Sequence, residues 1–140
     1  MRVLSKRMAT MGAVLLAASG LFTIGASSAS ATGPCGSGYT RVGVYNIGSP
    51  KAGSIEVFYN SSNGYNCALT YPLNPGERRW MLISIGISIV GAGSDQDNGY
   101  YTTYAGPVYT YAKGQCIDLV GGVDNGYGHV YRNLKNVHCG

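Results

Sequence analysis

From residue 32 onward, hydrophobic and polar positions alternate with a period of two. The clearest run is WMLISIGISIV (80–90), in which four isoleucines, Ile83, Ile85, Ile87 and Ile89, alternate with serine and glycine. A strand with this pattern has one apolar side and one small, polar side, as in a half-buried antiparallel sheet. A helix would scatter the isoleucines around its circumference. The run therefore predicts a β-strand.

The same alternation predicts further strands along the chain. They cover residues 39–47, 54–60, 65–71, 100–104, 108–112, 115–120 and 128–138. The intervening segments are rich in Gly, Pro, Asn or Asp, which favour turns; they are 48–53, 61–64, 72–77, 91–99, 105–107, 112–114 and 121–126. Short strands at this spacing predict an all-β fold, a single antiparallel β-sandwich or a small barrel.

The first 31 residues carry an export pattern. A basic start is followed by an apolar run (11–24) and by Ala29-Ser30-Ala31, a typical cleavage signal. The apolar run is shorter than the roughly 20 residues that a spanning helix needs. We therefore predict a cleaved signal peptide (1–31), a secreted domain (32–140) and no membrane insertion after cleavage.

Cleavage would change the charge of the protein. The whole chain has a formal charge of +4, but three of its ten basic residues lie in the leader. The remaining seven basic and six acidic residues leave about +1. A near-neutral domain lacks the basic surface that nucleic acids or anionic membranes attract, so we expect no nucleic-acid partner.

All four cysteines, Cys35, Cys67, Cys116 and Cys139, follow the leader. In a short exported chain they predict two disulfides, for which three connectivities exist. We favour Cys35–Cys67 with Cys116–Cys139, because neighbouring strands of a β-meander lie close in space. Each bond would stabilise the fold by roughly 3–4 kcal/mol in the chain-entropy model.

Twelve tyrosines are present, and all follow the leader. Cross-strand packing accounts for most of them, yet tyrosine-rich sheets also form binding surfaces. The predicted Tyr/Asn/Gly-rich binding face comprises Tyr100, Tyr101, Tyr104, Tyr109, Tyr111, Asn60, Asn63 and Tyr65. The stretch YNSSNGYNC (59–67) also contains a glycosylation sequon and a turn signal, Asn63-Gly64. We predict a hairpin here, with a connection of four residues (61–64) as one option.

Signals for catalysis and cofactors are weak. His129 and His138 are the only candidate general bases, and no G-x-S-x-G element is present. We expect no enzymatic activity and no cofactor, with a small wall-active hydrolase as an alternative. Asp95 and Asp97 open like a calcium loop but lack the glycine and glutamate that such a loop requires, so calcium is a weak option only. A protease inhibitor with a reactive loop around Arg78-Arg79 is the other alternative.

Four segments in order, CGSGY (35–39), YNSSNGYNC (59–67), YAGPVYTYAKGQCI (104–117) and HCG (138–140), resemble the spore-associated protein A family. These are small secreted proteins of sporulating filamentous actinobacteria. The resemblance implies a location on the spore or cell surface without established catalysis, and it transfers only the four cysteines as a structural framework. In a bacterial protein there is no general expectation that Asn60 carries a glycan.

We therefore predict a secreted, non-enzymatic protein of the spore or cell surface. Its Tyr/Asn/Gly-rich face is expected to contact wall or coat polymers, with polysaccharide as the candidate ligand.

Overall fold

The computed structural model describes residues 32–87 and 94–140; the predicted signal peptide and Ile89 lie outside these residues. The strands are β1 (Thr40–Ile47), β2 (Gly53–Asn60), β3 (Tyr65–Pro72), β4 (Arg79–Ile87), β5 (Asp95–Tyr101), β6 (Ala105–Tyr111), β7 (Ile117–Asp124) and β8 (His129–Val137). Within the described ranges, no helix is long and apolar enough to cross a membrane.

The strands form two antiparallel sheets of four strands each. The first sheet has the order β1-β2-β3-β6, and the second has the order β5-β4-β7-β8. Side chains from both sheets meet in one apolar core. The predicted all-β fold is confirmed, and of its two forms the sandwich is the correct one.

The core follows the alternation read from the sequence. Ile83 and Ile85 of β4 are fully buried, and Ile87 packs against the core at its edge. Ile55 and Val57 of β2 face them from the first sheet and are also fully buried. Burying a side chain of this size contributes about 1.5–3 kcal/mol, so this layer is the main apolar source of stability.

Gly121 shows how closely the two sheets approach. A Cβ atom at this position would lie 2.4 Å from Cγ1 of Ile55 and 2.9 Å from Oγ1 of Thr70. The Thr70 hydroxyl also donates a hydrogen bond of 2.8 Å to the Leu82 carbonyl, which links the sheets directly. The prediction of a turn over 121–126 is therefore wrong for residues 121–124, which belong to β7. Gly121 and Gly122 lie inside β7, where the missing side chain permits close packing.

The predicted boundaries around β5 and β6 are also wrong. The strand predicted over 100–104 begins earlier, because the backbone of β5 pairs with β4 from Asp95 to Tyr101. The predicted turn 105–107 belongs to β6, an edge strand of the first sheet. An edge strand tolerates Pro107 because one side of its backbone needs no ladder partner.

Both favoured disulfides are present. Cys35 bonds to Cys67, and Cys116 bonds to Cys139. The hairpin in YNSSNGYNC is confirmed with a four-residue connection, since β2 ends at Asn60 and β3 begins at Tyr65. Gly64 supplies the positive φ (78°) that closes the turn, and its N–H donates to the Asn60 carbonyl at 2.8 Å.

The Gly121 contact predicts the cost of a single added methyl group. Gly121→Ala should lower the free energy of unfolding by about 1–3 kcal/mol, because the new Cβ must displace Ile55 or separate the sheets. Denaturant unfolding measures this loss. Gly33→Ala is the matched control, because nothing lies within 4 Å of its Cβ position; it should change stability by less than about 0.5 kcal/mol. Equal stability of the two variants would contradict the packing argument.

Candidate ligand-binding face

Two of the predicted face tyrosines cover a disulfide. The Tyr109 hydroxyl donates a hydrogen bond to the Cys35 carbonyl at 3.1 Å, and its ring meets Tyr39 edge-to-face at 5.9 Å. Tyr104 packs on the same small cluster around Cys35 and Cys67. Burial, with the negative charge of Asp95 as a smaller cause, raises the pKa of Tyr109, which keeps its hydroxyl a donor. These tyrosines form a second, minor core on the outer side of the first sheet.

The hairpin residues of the predicted face lie at one end of the sandwich. Tyr65 and Tyr111 are exposed and make an edge-to-face pair with centroids 5.6 Å apart. Asn60 is only 6% exposed, and its side-chain oxygen accepts from the Ser62 N–H and hydroxyl. Asn63 accepts from the Tyr65 N–H. The two asparagines hold the turn, so Asn60 is not presented to a ligand.

Hydrogen bonds to Asp95 and Asp97, the two aspartates considered as calcium ligands, join β5 to β6. The Asp97 carboxylate accepts from the Tyr101 hydroxyl and from the Gly106 N–H, and Asp95 accepts from the Tyr109 N–H at 3.0 Å. The hydrogen bond to Asp97 raises the pKa of Tyr101, since the carboxylate favours the protonated phenol. Among residues 32–87 and 94–140, no group of three or more His, Cys, Asp or Glu side chains is arranged to hold a metal ion.

The predicted residues therefore do not form one continuous face. Of the eight, Tyr100 lies elsewhere, on the outer side of the second sheet, where it is 59% exposed. Its Cα partner across the β4–β5 ladder is Trp80, the single tryptophan of the chain. Directly paired residues of a ladder point to the same side of a sheet, so Trp80 and Tyr100 share this outer side.

Three aromatic rings cluster on that outer side. The rings of Trp80 and His129 are stacked, with centroids 4.0 Å apart and planes inclined by only 6°. Tyr131, which is 50% exposed, meets Trp80 edge-to-face at 5.9 Å. We call Trp80, Tyr100, His129 and Tyr131 the aromatic platform.

Gly122 makes room for this arrangement. A Cβ atom there would lie 3.0 Å from the Tyr131 ring and 3.1 Å from the Trp80 ring. The two rings from β4 and β8 thus approach each other across the bare backbone of β7. The glycine pair of β7 thereby serves both sides of the sheet, Gly121 the core and Gly122 the platform.

Amide side chains surround the platform. Asn98 and Gln96 of β5, and Asn133 of β8, share its side of the sheet by register and are exposed. The Arg78 guanidinium lies over the Tyr100 ring at 5.8 Å. Aromatic rings bury apolar surface of a ligand while amides exchange hydrogen bonds with its polar groups. This combination suits a flat, hydroxyl-rich ligand.

Trp80 was not among the predicted site residues, although part of the signal was in the sequence. The isoleucine alternation that points Ile83 and Ile85 inward points Trp80 outward. His129 and Tyr131 are two residues apart and so share one side of a strand. What the sequence could not supply was the pairing of β4 and β8 with β7, which brings the three rings together.

Comparison with known proteins adds a close relative. The chain is 40% identical over 109 residues to spore-associated protein A of Streptomyces coelicolor, an alignment that covers 77% of this chain and 68% of the relative. The chain belongs to the spore-associated protein A family. No protein-family model matches the chain, and no solved structure matches it significantly.

The two candidate catalytic histidines contact aromatic side chains. His129 belongs to the aromatic platform, and His138 shares a hydrogen bond of 3.0 Å between its Nε2 and the Tyr45 hydroxyl. Among the described residues neither imidazole hydrogen-bonds a serine hydroxyl or a carboxylate. The nucleophile–base and base–carboxylate contacts of a hydrolytic triad are therefore not assembled in this part of the chain.

The arginines of the inhibitor alternative are held against the sheet. Arg79 is the first residue of β4; its guanidinium donates to the Glu77 carboxylate at 2.8 Å and to the Asp124 carbonyl at 3.3 Å. Arg78 donates to the Tyr100 carbonyl. A substrate-like inhibitor loop would present such a side chain freely to a protease, which these contacts oppose.

The burial of His138 predicts a loss of stability in mild acid. Burial lowers the pKa of His138, so the unfolded chain, with a pKa near 6.5, binds a proton more readily than the folded one. Stability should therefore fall as the pH drops below about 6.5. Denaturant midpoints measured between neutral and mildly acidic pH test this dependence.

The matched variant is His138→Asn. Residue 138 has a φ of 51°, a region that Asn tolerates, so the substitution removes the titrating group without forcing the backbone. The variant should show a flatter pH dependence than the wild type. An unchanged dependence would exclude His138 as its source.

Proposed function

We propose that this chain is a secreted, non-enzymatic protein of the spore or cell surface, and that its aromatic platform binds polysaccharide of the wall or coat. The name of the relative supports the location, since it is a spore-associated protein. The observation that carries the binding role is the ring cluster on the outer side of the second sheet, in which a half-buried Trp80 lies between the exposed rings of His129 and Tyr131.

The cluster lies outside the buried apolar core. Trp80 and Tyr131 stand on the side of the sheet opposite to the core, and neither belongs to the buried clusters of the described chain. Aromatic rings grouped on the solvent side of a sheet in this way are characteristic of contact surfaces. A tryptophan with tyrosines beside it is also the composition of interface residues that dominate binding energy.

The low net charge of the domain limits the kinds of interaction that could hold it on a surface. A domain with a charge near +1 gains little from general electrostatic attraction, so retention on a surface must come from short-range contacts. Sugar rings offer apolar C–H faces for aromatic rings and hydroxyls for the amides of Asn98 and Asn133. Two disulfides keep the sheet intact outside the cell.

The proposal is tested by retention on washed spores and on isolated wall polysaccharide. The exported wild-type protein should sediment with both, and raised salt should leave most of it bound, because stacking is screened little. Trp80→Ala should weaken binding by at least about tenfold, the effect of losing a central aromatic contact. Tyr131→Ala, at an exposed position, should weaken it less while leaving the fold intact.

The matched control is Tyr111→Ala, which removes an exposed ring of the hairpin-end pair. Circular dichroism and unfolding midpoints verify that each variant is folded. Wild-type protein that stays in the supernatant would overturn the proposal. Equal loss from Tyr111→Ala and Trp80→Ala would refute the assignment of binding to the platform.

A further inference from the structure

We propose that a second site, a pocket between the loops next to the platform, binds an anionic substituent of the polymer. The inference rests on the proposed function and specifies its ligand as an acidic rather than a neutral polysaccharide. The pocket has a volume of about 380 Å³. Its lining residues are Pro50, Lys51, Ala52, Leu73, Asn74, Arg79, Asn125 and Tyr127.

Three connections at one end of the sandwich form this pocket. They are the β1–β2 connection (48–52), the β3–β4 connection (73–78) and the β7–β8 connection (125–128). Antiparallel pairing fixes their meeting point, because Gly53 pairs with Pro72 and Met81 pairs with Val123. The pocket is therefore a product of the sheet registers.

The pocket adjoins the platform through two short pieces of chain. Arg79 lines the pocket at the end of the sandwich. The next residue, Trp80, belongs to the platform on the outer side of the sheet, because successive residues of a strand point to opposite sides. Tyr127 lines the pocket, and His129 follows two residues later in the platform. One extended polymer can thus contact both sites across the β7–β8 connection.

The charge of the pocket favours an anion. Lys51 lines it, is exposed, and is in none of the ion pairs of the described residues. Arg79 adds a second cation, whose partner Glu77 is 84% exposed at its side chain. The other nearby carboxylate, Asp124, shares the platform side with His129 by register and does not line the pocket.

Arg79 shows how an oxyanion fits. One of its terminal nitrogens donates to a carboxylate oxygen of Glu77 at 2.8 Å and the other donates to the Asp124 carbonyl at 3.3 Å, while the Arg79 side chain itself is 19% exposed. Its Nε is buried without a hydrogen-bond partner among the described residues. Because Nε is buried, the donors that an oxyanion in the pocket can use are the second N–H groups of the two terminal nitrogens, each of which makes one hydrogen bond to the protein.

The remaining lining suits a sugar that carries the charge. Asn74 and Asn125 offer amide groups, while Leu73, Ala52 and Pro50 form apolar walls. Tyr127 is fully exposed at the rim of the pocket, where its ring is accessible to a bound sugar. A uronic acid or a phosphorylated sugar has this combination of an apolar ring face, hydroxyls and one oxyanion.

The test compares polymers that differ only in charge. The probes are polygalacturonate, its neutral methyl ester, and a phosphomannan with its dephosphorylated form, each titrated against the exported wild-type protein. We expect tighter binding to the charged member of at least one pair, and the pair that responds identifies carboxylate or phosphate as the recognised group.

Lys51→Gln should reduce that preference by about fivefold, the effect of losing one exposed ion pair. Lys113→Gln is the matched control, because Lys113 is an exposed turn lysine at the opposite end of the sandwich and does not line the pocket. It removes the same net charge and should retain the preference. Trp80→Ala should weaken binding to charged and neutral polymers alike.

The outcomes separate this inference from the proposed function. Equal affinity for charged and neutral polymers, or equal effects of Lys51→Gln and Lys113→Gln, overturns the anionic site even if Trp80→Ala abolishes retention on spores. Absence of binding to all four polymers also overturns it, while retention on spores decides the proposed function independently.

Discussion

The close contact of the two sheets across Gly121 is the constraint on which the rest of the structure depends. Ile55 fills the space that a side chain at residue 121 would occupy, and Thr70 links the first sheet to the β4 backbone. This contact fixes β4 and β7 relative to the first sheet. The outer side of the second sheet then presents Trp80, and the connections at its end enclose the pocket beside Arg79.

The outer sides of the two sheets have different roles. On the first sheet, the Cys35–Cys67 bond holds the N-terminal segment against the strand, and Tyr39 and Tyr109 pack over it. The tyrosines there are structural, since their rings cover the disulfide. On the second sheet, Tyr100 is 59% exposed and Tyr131 is 50% exposed, so these rings are accessible to a ligand. The abundance of tyrosine in this chain thus has two separate causes.

The proposed binding role needs little besides a rigid surface. Rings that are held in place before a ligand arrives lose little ordering entropy on binding. Gly122 contributes to that rigidity, because Trp80 and Tyr131 pack against its backbone. Under the proposed function, the platform provides the contact with the polymer and the loop-end pocket distinguishes charged from neutral polymers.

The sequence by itself determined the strand pattern, the disulfide framework and the hairpin of YNSSNGYNC, because these depend on local periodicity and turn chemistry. The alternation of Ile83 and Ile85 was enough to place β4 in the core. The turn signals in the sequence were misleading at β5 and at Gly121-Gly122. Asp, Asn and Gly favour turns wherever long-range strand pairing does not override them.

Only the tertiary structure decided which side chains form the site. Trp80 comes from β4, whereas His129 and Tyr131 come from β8, and their contact depends on the order β4-β7-β8. The residues of the predicted face are divided between the two sheets, since tyrosines near in sequence, such as Tyr100 and Tyr109, lie on opposite sheets. The local sequence determines which side chains of a strand alternate between its two sides. The neighbours of an aromatic ring on adjacent strands depend on the order and register of the strands in the sheet.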